Sequence, residues 1–239
     1  MGNVFYEPGK ERAAKVGELF ARLAPRYDFI NDLQSFGLHR RWKKRVVKLA
    51  AVKKGDKALD VCCGTGDIAQ LLARSGADVV GLDFSEQMLE VARQRGARKG
   101  QNGILRFVQG DAQQLPFGDG EFDIMTIGYG LRNLADWEVG LREMKRVAKP
   151  GGRLVVLEFG KPGNVIWRRI YFSYLRICVP LLGLFFCGSY KAYAYILESL
   201  KHYPGQQGVA EKMRELGFAE VGIVNILGGA MSINFGRKL

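Results

Sequence analysis

The sequence predicts one α/β domain: a largely parallel sheet covered on both faces by helices, with further helices before it and an apolar helical insertion late in the chain. Three observations carry that prediction. From Lys57 onward, strand-like apolar runs alternate with helical segments. A glycine turn, Gly64-Thr65-Gly66, closes the first run and opens a helix. The chain has 239 residues, 47% of them hydrophobic, enough for one substantial core and short of two domains.

Taken in order, the first fifty residues read as helical. Lys10 to Leu23 carries Ala14, Val16, Leu19, Phe20 and Leu23, and Trp42 to Ala51 follows a turn containing Gly37. Strands are predicted over Lys57 to Val61, Val79 to Asp83, Ile104 to Gln109, Phe122 to Ile127 and Arg153 to Phe159. Helices fill the gaps. One covers Asp67 to Ser75, and one covers Ser85 to Ala97 with Ser85 as N-cap. Another covers Asp136 to Ala148 and stops before Pro150-Gly151-Gly152. After the insertion come a helix over Gln206 to Leu216, ended by Gly217, and strands over Glu220 to Ile226 and Ala230 to Phe235. Residues 1–52 thus form a helical cover, 53–165 and 204–239 the core, and 166–203 the insertion. Between Arg176 and Lys191 the insertion has 14 residues without a charge, interrupted by Pro180 and Gly183, too short and too broken to span a bilayer. It reads either as packing against the core or as a wall for a long apolar substrate or a lipid surface.

A formal net charge of +12 favours an anionic partner without choosing between nucleic acid and lipid. Arg40, Arg41, Lys43, Lys44, Arg45 and Lys48 form a cluster that reads equally as a solvated helix face or a membrane-facing patch. Of four cysteines, Cys62 and Cys63 are adjacent, which suggests neither a disulfide framework nor a metal site, so no metal is expected and a reducing cytoplasm fits. The opening residues show no secretory signal, and the sequence sets no oligomeric state.

The chemistry concentrates at successive strand ends. Gly64 and Gly66 let backbone amides approach a ligand at a helix N-terminus, and Asp60 sits just before them on the strand. Alone this is a weak signal, because a dinucleotide loop also begins G-x-G, and its third position, here Ala69, is permitted in some such folds. Asp83, 17 positions after Gly66, ends the second strand where a carboxylate accepts both ribose hydroxyls. Asp111 and Ala112 end the third, suited to an adenine edge: carboxylate to exocyclic amine, amide to ring nitrogen. The ligand is therefore expected to be a nucleoside derivative. Asp60, Gly64, Thr65, Gly66, Asp83, Asp111 and Ala112 together resemble the motif set of the class I S-adenosylmethionine methyltransferases. That resemblance implies a Rossmann-like seven-stranded sheet in the order 3-2-1-4-5-7-6 and S-adenosyl-L-methionine as cofactor.

A narrower resemblance covers nearly the whole chain. Tyr27-Asp28-Phe29-Ile30-Asn31-Asp32-Leu33-Gln34-Ser35-Phe36-Gly37-Leu38-His39-Arg40-Arg41-Trp42 is similar to a signature of the menaquinone/ubiquinone biosynthesis C-methyltransferase family, which methylates a ring carbon of quinone precursors. Arg146 to Arg153 running to Glu158-Phe159-Gly160-Lys161-Pro162 resembles a second signature, and Gly128-Tyr129-Gly130-Leu131-Arg132-Asn133 resembles its active-site strand end. The chain departs from the pattern at Ile30, where Met is usual, at Gly160, where Ser is usual, and at Gly128, where some members have Ser. Cys62-Cys63 resembles the menaquinone branch more than the branch that also serves ubiquinone.

The resemblance implies methylation of a demethylmenaquinol, a polyprenyl naphthoquinol, with a dual menaquinone/ubiquinone role as the alternative. It also implies a peripheral contact with the inner face of the cell membrane. The acceptor should be the reduced quinol, since a quinone ring is electron-poor. Candidates for handling its hydroxyl proton are Tyr27, Asp28, His39 and Arg132, on segments that the resemblance places near the acceptor. His39 is either a base or a packing residue. Arg132 stays protonated and is expected to stabilise a quinolate. Asn133 either orients Arg132 or simply occupies a turn, and Tyr27 and Trp42 are also explained by packing. Three rivals share the fold signals. An RNA methyltransferase lacks support, since no Asn/Asp-Pro-Pro-Tyr/Phe motif ends the fourth strand and no RNA-binding module is evident, so no nucleic-acid partner is expected. The others are a nicotinamide-dependent dehydrogenase and a non-catalytic membrane-surface protein.

Overall fold

The structure, a computed structural model, describes residues 27–97, 105–187 and 190–239. The helix expected over Lys10 to Leu23 lies outside the described residues. Two short helices come first, α1 (Tyr27–Ser35) and α2 (His39–Ala50). The core then alternates as β1 (Lys57–Val61), α3 (Asp67–Arg74), β2 (Asp78–Asp83), α4 (Glu86–Ala97), β3 (Leu105–Gln109), β4 (Phe122–Gly128), α5 (Trp137–Val147) and β5 (Ala148–Phe159). The insertion forms α6 (Val165–Cys187) and α7 (Tyr190–His202). The chain closes with α8 (Gly205–Glu215), β6 (Phe218–Ile226) and β7 (Met231–Lys238).

The seven strands lie in the order β3-β2-β1-β4-β5-β7-β6, as expected from the sequence. β1 to β5 pair in parallel, while β7 runs antiparallel between β5 and β6. The strand order reverses between β1 and β4, so the connections leaving their carboxyl ends diverge and open a crevice there. The caps are those the sequence offers. Ser85 Oγ accepts from the Met88 amide ahead of α4, and Asp136 accepts from the amides of Glu138 and Val139 ahead of α5.

One boundary differs from expectation. Pro150-Gly151-Gly152 does not form a loop after α5 but lies within β5, which begins at Ala148. The pairing of β4 with β5 shifts register between Phe122↔Ala148 and Ile124↔Arg153, and Gly151 sits at φ +79° in that irregularity. A bulge is where a proline without an amide hydrogen can enter a sheet.

The core has two sides, as a sheet covered on both faces requires. On one, Leu59, Val61, Met125, Ile127, Leu154 and Val156 pack against α5, α8 and the insertion. On the other, Ala58, Ile124, Val155 and Leu157 pack against Val46 and Ala50 of α2 and the apolar face of α3. Two of the six residues of the basic cluster on α2 are tied down. Lys43 is buried and pairs with Asp67 at 2.6 Å, Arg40 pairs with Asp32, and Arg153 reaches the Leu49 carbonyl.

α6 continues through Pro180, which the sequence reads as a break. Tyr171, Leu175 and Val179, spaced one turn apart, are buried against the core, and this burial outweighs the helix-interior cost of proline, about 3 kcal/mol. The opposite stripe of Ile166, Ile170, Ile177, Leu181 and Leu184, with Phe185, is exposed. Among the described residues no helix is long and apolar enough to cross a membrane.

Candidate active site

The carboxyl ends of β1, β2 and β3 border one cavity of about 110 Å³ beside Gly64, Asp83, Met88, Asp111, Ala112 and Leu134. Asp83 locks two strand ends together: the Gly64 amide donates to its Oδ2 at 2.8 Å and the Ser85 amide to its Oδ1 at 2.9 Å. Burial raises its pKa above the ordinary carboxylate value. Asp111 is held by the Gln113 amide at 2.8 Å. Each carboxylate keeps acceptor capacity beyond these bonds, so the pair can still receive hydroxyl and amine donors.

The donor set selects among nucleoside ligands. Asp67, at the start of α3, occupies the helix end where a pyrophosphate would otherwise sit, bound by Lys43 and Arg95. Burial works to raise Asp67, but the two cations overcome it and hold it at about 2, fully ionised. Asp83 and Asp111, the carboxylates that border the cavity, disfavour a dinucleotide's phosphates and suit a cationic sulfonium nucleoside.

The remaining cofactor residues named from sequence support the loop rather than border this cavity. Asp60 is 1% exposed, accepting from Thr126 Oγ1 at 2.7 Å and from the Ala69 amide at 3.0 Å, so it staples β1 to β4 and α3. Thr65 is buried beside it in a separate pocket of about 30 Å³, and its carbonyl accepts from Arg95. Gly66 sits at φ +82°, and a Cβ there would lie 3.0 Å from the Phe107 ring, so it serves the turn and the packing. At Gly128 an added Cβ would lie 2.7 Å from the tip of the Ile68 side chain, so a larger residue there would need that tip to shift.

A second, apolar cavity of about 360 Å³ adjoins the first, and Tyr129 borders both. Its walls come from α1, α2, the turn after β4 and α6 with α7, so the N-terminal cover and the insertion close over it. Arg132 lines it, 6% exposed. Its guanidinium donates to Glu158 at 2.6 Å and to the Tyr129 carbonyl at 2.8 Å, and stacks over the Phe159 ring at 4.7 Å. Burial lifts Glu158 above the usual carboxylate range while Arg132 and two backbone amides pull it back. Asn133 does not orient Arg132 directly. Both donate to the Tyr129 carbonyl, and Asn133 Oδ1 accepts from Tyr195 of α7 at 3.0 Å, tying the insertion to the strand end. His39 and Trp42 also line this cavity, whereas the side chains of Tyr27 and Asp28 lie outside the described residues. Glu158, Asp32 and Tyr195 went unselected in the sequence, although the first two sit inside quoted signatures.

The seven-stranded topology with a nucleoside site at the β1–β3 ends and a second cavity against it defines a class I S-adenosylmethionine-dependent methyltransferase. The chain belongs to the ubiE/COQ5 methyltransferase family, whose sequence pattern matches residues 9–238. It is 41% identical over 227 residues to a demethylmenaquinone methyltransferase of Listeria monocytogenes serotype 4a (strain HCC23), covering 94% of this chain and 95% of that one. It is also 41% identical over 235 residues to a ubiquinone/menaquinone biosynthesis C-methyltransferase of Azotobacter vinelandii, covering 97% and 92%. Among solved structures, a possible histamine N-methyltransferase from Thermotoga maritima superposes with a TM-score of 0.66 at 21% identity, covering 93% of this chain and 99% of that one. A methyltransferase from Aquifex aeolicus superposes at 0.61 with 18% identity, covering 98% and 100%. These two share the fold.

Two predictions follow from the buried charges. Burial raises Asp60 to about 7. The folded chain therefore binds that proton more tightly than the unfolded chain, and this group's contribution to stability falls as pH rises from about 4 to 7, by about 1.4 kcal/mol per unit. Asp60→Asn should remove that slope in urea unfolding at pH 5, 6 and 7; slopes equal to wild type would refute the assignment. Arg132→Ala should cost about 3–5 kcal/mol by stranding Glu158, and adding Glu158→Gln should restore at least half of it. A double-mutant cycle by urea unfolding checks this, and additive losses would mean the pair is uncoupled.

Proposed function

We propose that this enzyme transfers the methyl group of S-adenosylmethionine to a ring carbon of a demethylmenaquinol, giving menaquinol. The observation that carries the reading is the 360 Å³ apolar cavity that meets the cofactor cavity at Tyr129. Trp167, Ile170, Leu175 and Val179 give it an apolar wall suited to a prenylated ring. The names of the relatives support the same acceptor.

When bound, S-adenosylmethionine supplies an already activated methyl group, so the residues need only align a carbon nucleophile with it and keep water out. Alignment alone is worth about 7–11 kcal/mol. Asp83 would hold its ribose, and Asp111 with the Ala112 amide would hold its adenine. Asp60, Gly64, Thr65 and Gly66 keep the loop in the shape that brings them together. Arg132, fixed by Glu158, stabilises negative charge developing on the quinol oxygen and remains protonated throughout. Asn133 with Tyr195 positions the insertion against the strand end.

Cys62-Cys63 supports the menaquinone acceptor, while a relative bearing both quinone names at equal identity makes a dual role the second reading. The enzyme is cytoplasmic in this reading and rests on the inner face of the cell membrane, where a polyprenyl substrate resides. The exposed stripe on α6, flanked by Arg168, Arg169 and Arg176, supports that contact.

Single-turnover transfer from labelled S-adenosylmethionine should label reduced but not oxidised demethylmenaquinone. Label in a demethoxyubiquinol-type acceptor as well would establish the dual role, and label only in RNA would overturn the quinone reading. In flotation assays the protein should rise with anionic vesicles, and Ile177→Asp with Phe185→Asp should reduce recovery at least fivefold. Flotation unchanged in that variant would remove α6 from the contact.

A further inference from the structure

His39 is 4% exposed and lines the acceptor cavity. Its two ring nitrogens are in different situations. Nε2 lies 2.9 Å from Asp32 Oδ1, and the opposite nitrogen, Nδ1, is buried with no hydrogen-bond partner. Asp32 is fixed by Arg40, which donates to both carboxylate oxygens, Nε to Oδ1 at 2.8 Å and a terminal nitrogen to Oδ2. The Arg40 bond holds the Asp32 carboxyl below its ordinary value despite some burial. An ionised carboxylate only accepts, so Nε2 carries the hydrogen and Nδ1 keeps its lone pair. Asn31 and Gln34 of α1 line the same cavity, and their side-chain nitrogens, Nδ2 and Nε2, are also buried without partners. Buried polar atoms left unpaired cost about 1–3 kcal/mol each, and three around one cavity mark where a polar ligand supplies the missing bonds.

We infer that His39 Nδ1 is the base that takes the hydroxyl proton of the acceptor, that Asp32 is the positioning residue that fixes its tautomer, and that Asn31 and Gln34 donate to the acceptor's oxygens. The inference rests on the quinol reading above and deepens it. One lone pair and two amide donors match a hydroxylated ring that gives a proton at one atom and accepts hydrogen bonds at its oxygens. The proton passes from oxygen to Nδ1 as the ring carbon bonds to the methyl carbon and the methyl–sulfur bond breaks with its electron pair left on sulfur. The ring carbon then loses its own hydrogen to water, and Nδ1 returns its proton to the oxygen, so one proton is released per methyl transferred. Burial first, and then the nearby Lys43 charge, lower the His39 pKa, while Asp32 and Asp67 oppose them, so the ring is neutral and ready to accept at pH 7. The other charged or titratable groups around the cavity are Arg40, bound to Asp32, the Arg132–Glu158 pair, and Tyr129, Tyr171, Tyr174 and Tyr195.

The chain has two histidines, His39 and His202, which makes the ring nitrogens directly observable. In ¹⁵N-histidine-labelled protein, His39 should show a neutral Nε2–H tautomer at pH 7, and Asp32→Asn should abolish that single-tautomer pattern. An Nδ1–H tautomer in the wild type overturns the proposal without any activity measurement. In methyl transfer to reduced demethylmenaquinone, His39→Gln should lower kcat about 10²–10⁴-fold with KM for S-adenosylmethionine changed less than threefold. The fall in wild-type kcat on acidification should disappear in that variant, and Asp32→Glu should recover part of what Asp32→Asn loses. A wild type that transfers methyl while His39→Gln retains both its rate and its acid limb overturns the base alone. A wild type that labels no quinol overturns the quinol reading and this inference together.

Discussion

The ion pair of Arg132 with Glu158 sets what the acceptor cavity can be. Its two side chains are 4% and 1% exposed, in surroundings otherwise apolar, where a lone guanidinium would be expelled into water and a lone carboxylate would take up a proton. Together, with the Tyr129 carbonyl, the Phe159 ring and the backbone amides of residues 132 and 159 beside them, they put a fixed positive charge against an oily cavity. The same pair joins the turn after β4 to the end of β5 and so fixes Tyr129, the residue common to both cavities, at φ +60°. Strain at that position is tolerable because its amide and carbonyl are both bound, to Leu157 and to Arg132 with Asn133.

What was legible in the sequence was local. A glycine turn after a strand, an acidic residue at the next strand end and another at the third border one cavity because a parallel sheet brings successive carboxyl ends side by side, so spacing alone places Asp83 and Asp111 together. Spacing does not say which way a side chain near the turn points. Asp60 therefore read as a ligand-binding residue, and it lies buried behind the loop, bound to Thr126 and the Ala69 amide. The start of β5 was missed for a related reason. Pro150-Gly151-Gly152 has the composition of a stop, and only the pairing of Ala148 with Phe122 across the sheet shows that the strand has already begun.

The partners were less legible than the sites. Glu158 lies 26 positions from Arg132, and Tyr195 lies 62 from Asn133, separations over which no periodicity operates. The high positive charge was similarly uninformative by itself. On α2 part of it is internal wiring: Lys43 neutralises Asp67, which with Arg95 pins α2, α3 and α4 around the glycine loop. Another part of it lies near the insertion, where Arg168, Arg169 and Arg176 sit beside an exposed apolar stripe.

The division of labour follows from where rigidity is available. The cofactor side is built on strand ends, whose positions the sheet dictates, and backbone amides hold Asp83 and Asp111 in place while leaving acceptor capacity for a ligand. The acceptor side is built from α1, α2 and the insertion, which meet through single bonds such as Tyr195 to Asn133 and Tyr174 to the Gln34 carbonyl. In the quinol reading a greasy substrate reaches this second cavity past α1 and the insertion, while α2 stays pinned to the glycine loop through Lys43 and Asp67. Unpaired nitrogens on Asn31, Gln34 and His39 lie on α1 and α2 beside this cavity, so in the proposed reading the substrate that completes their hydrogen bonds also keeps water from the methyl group.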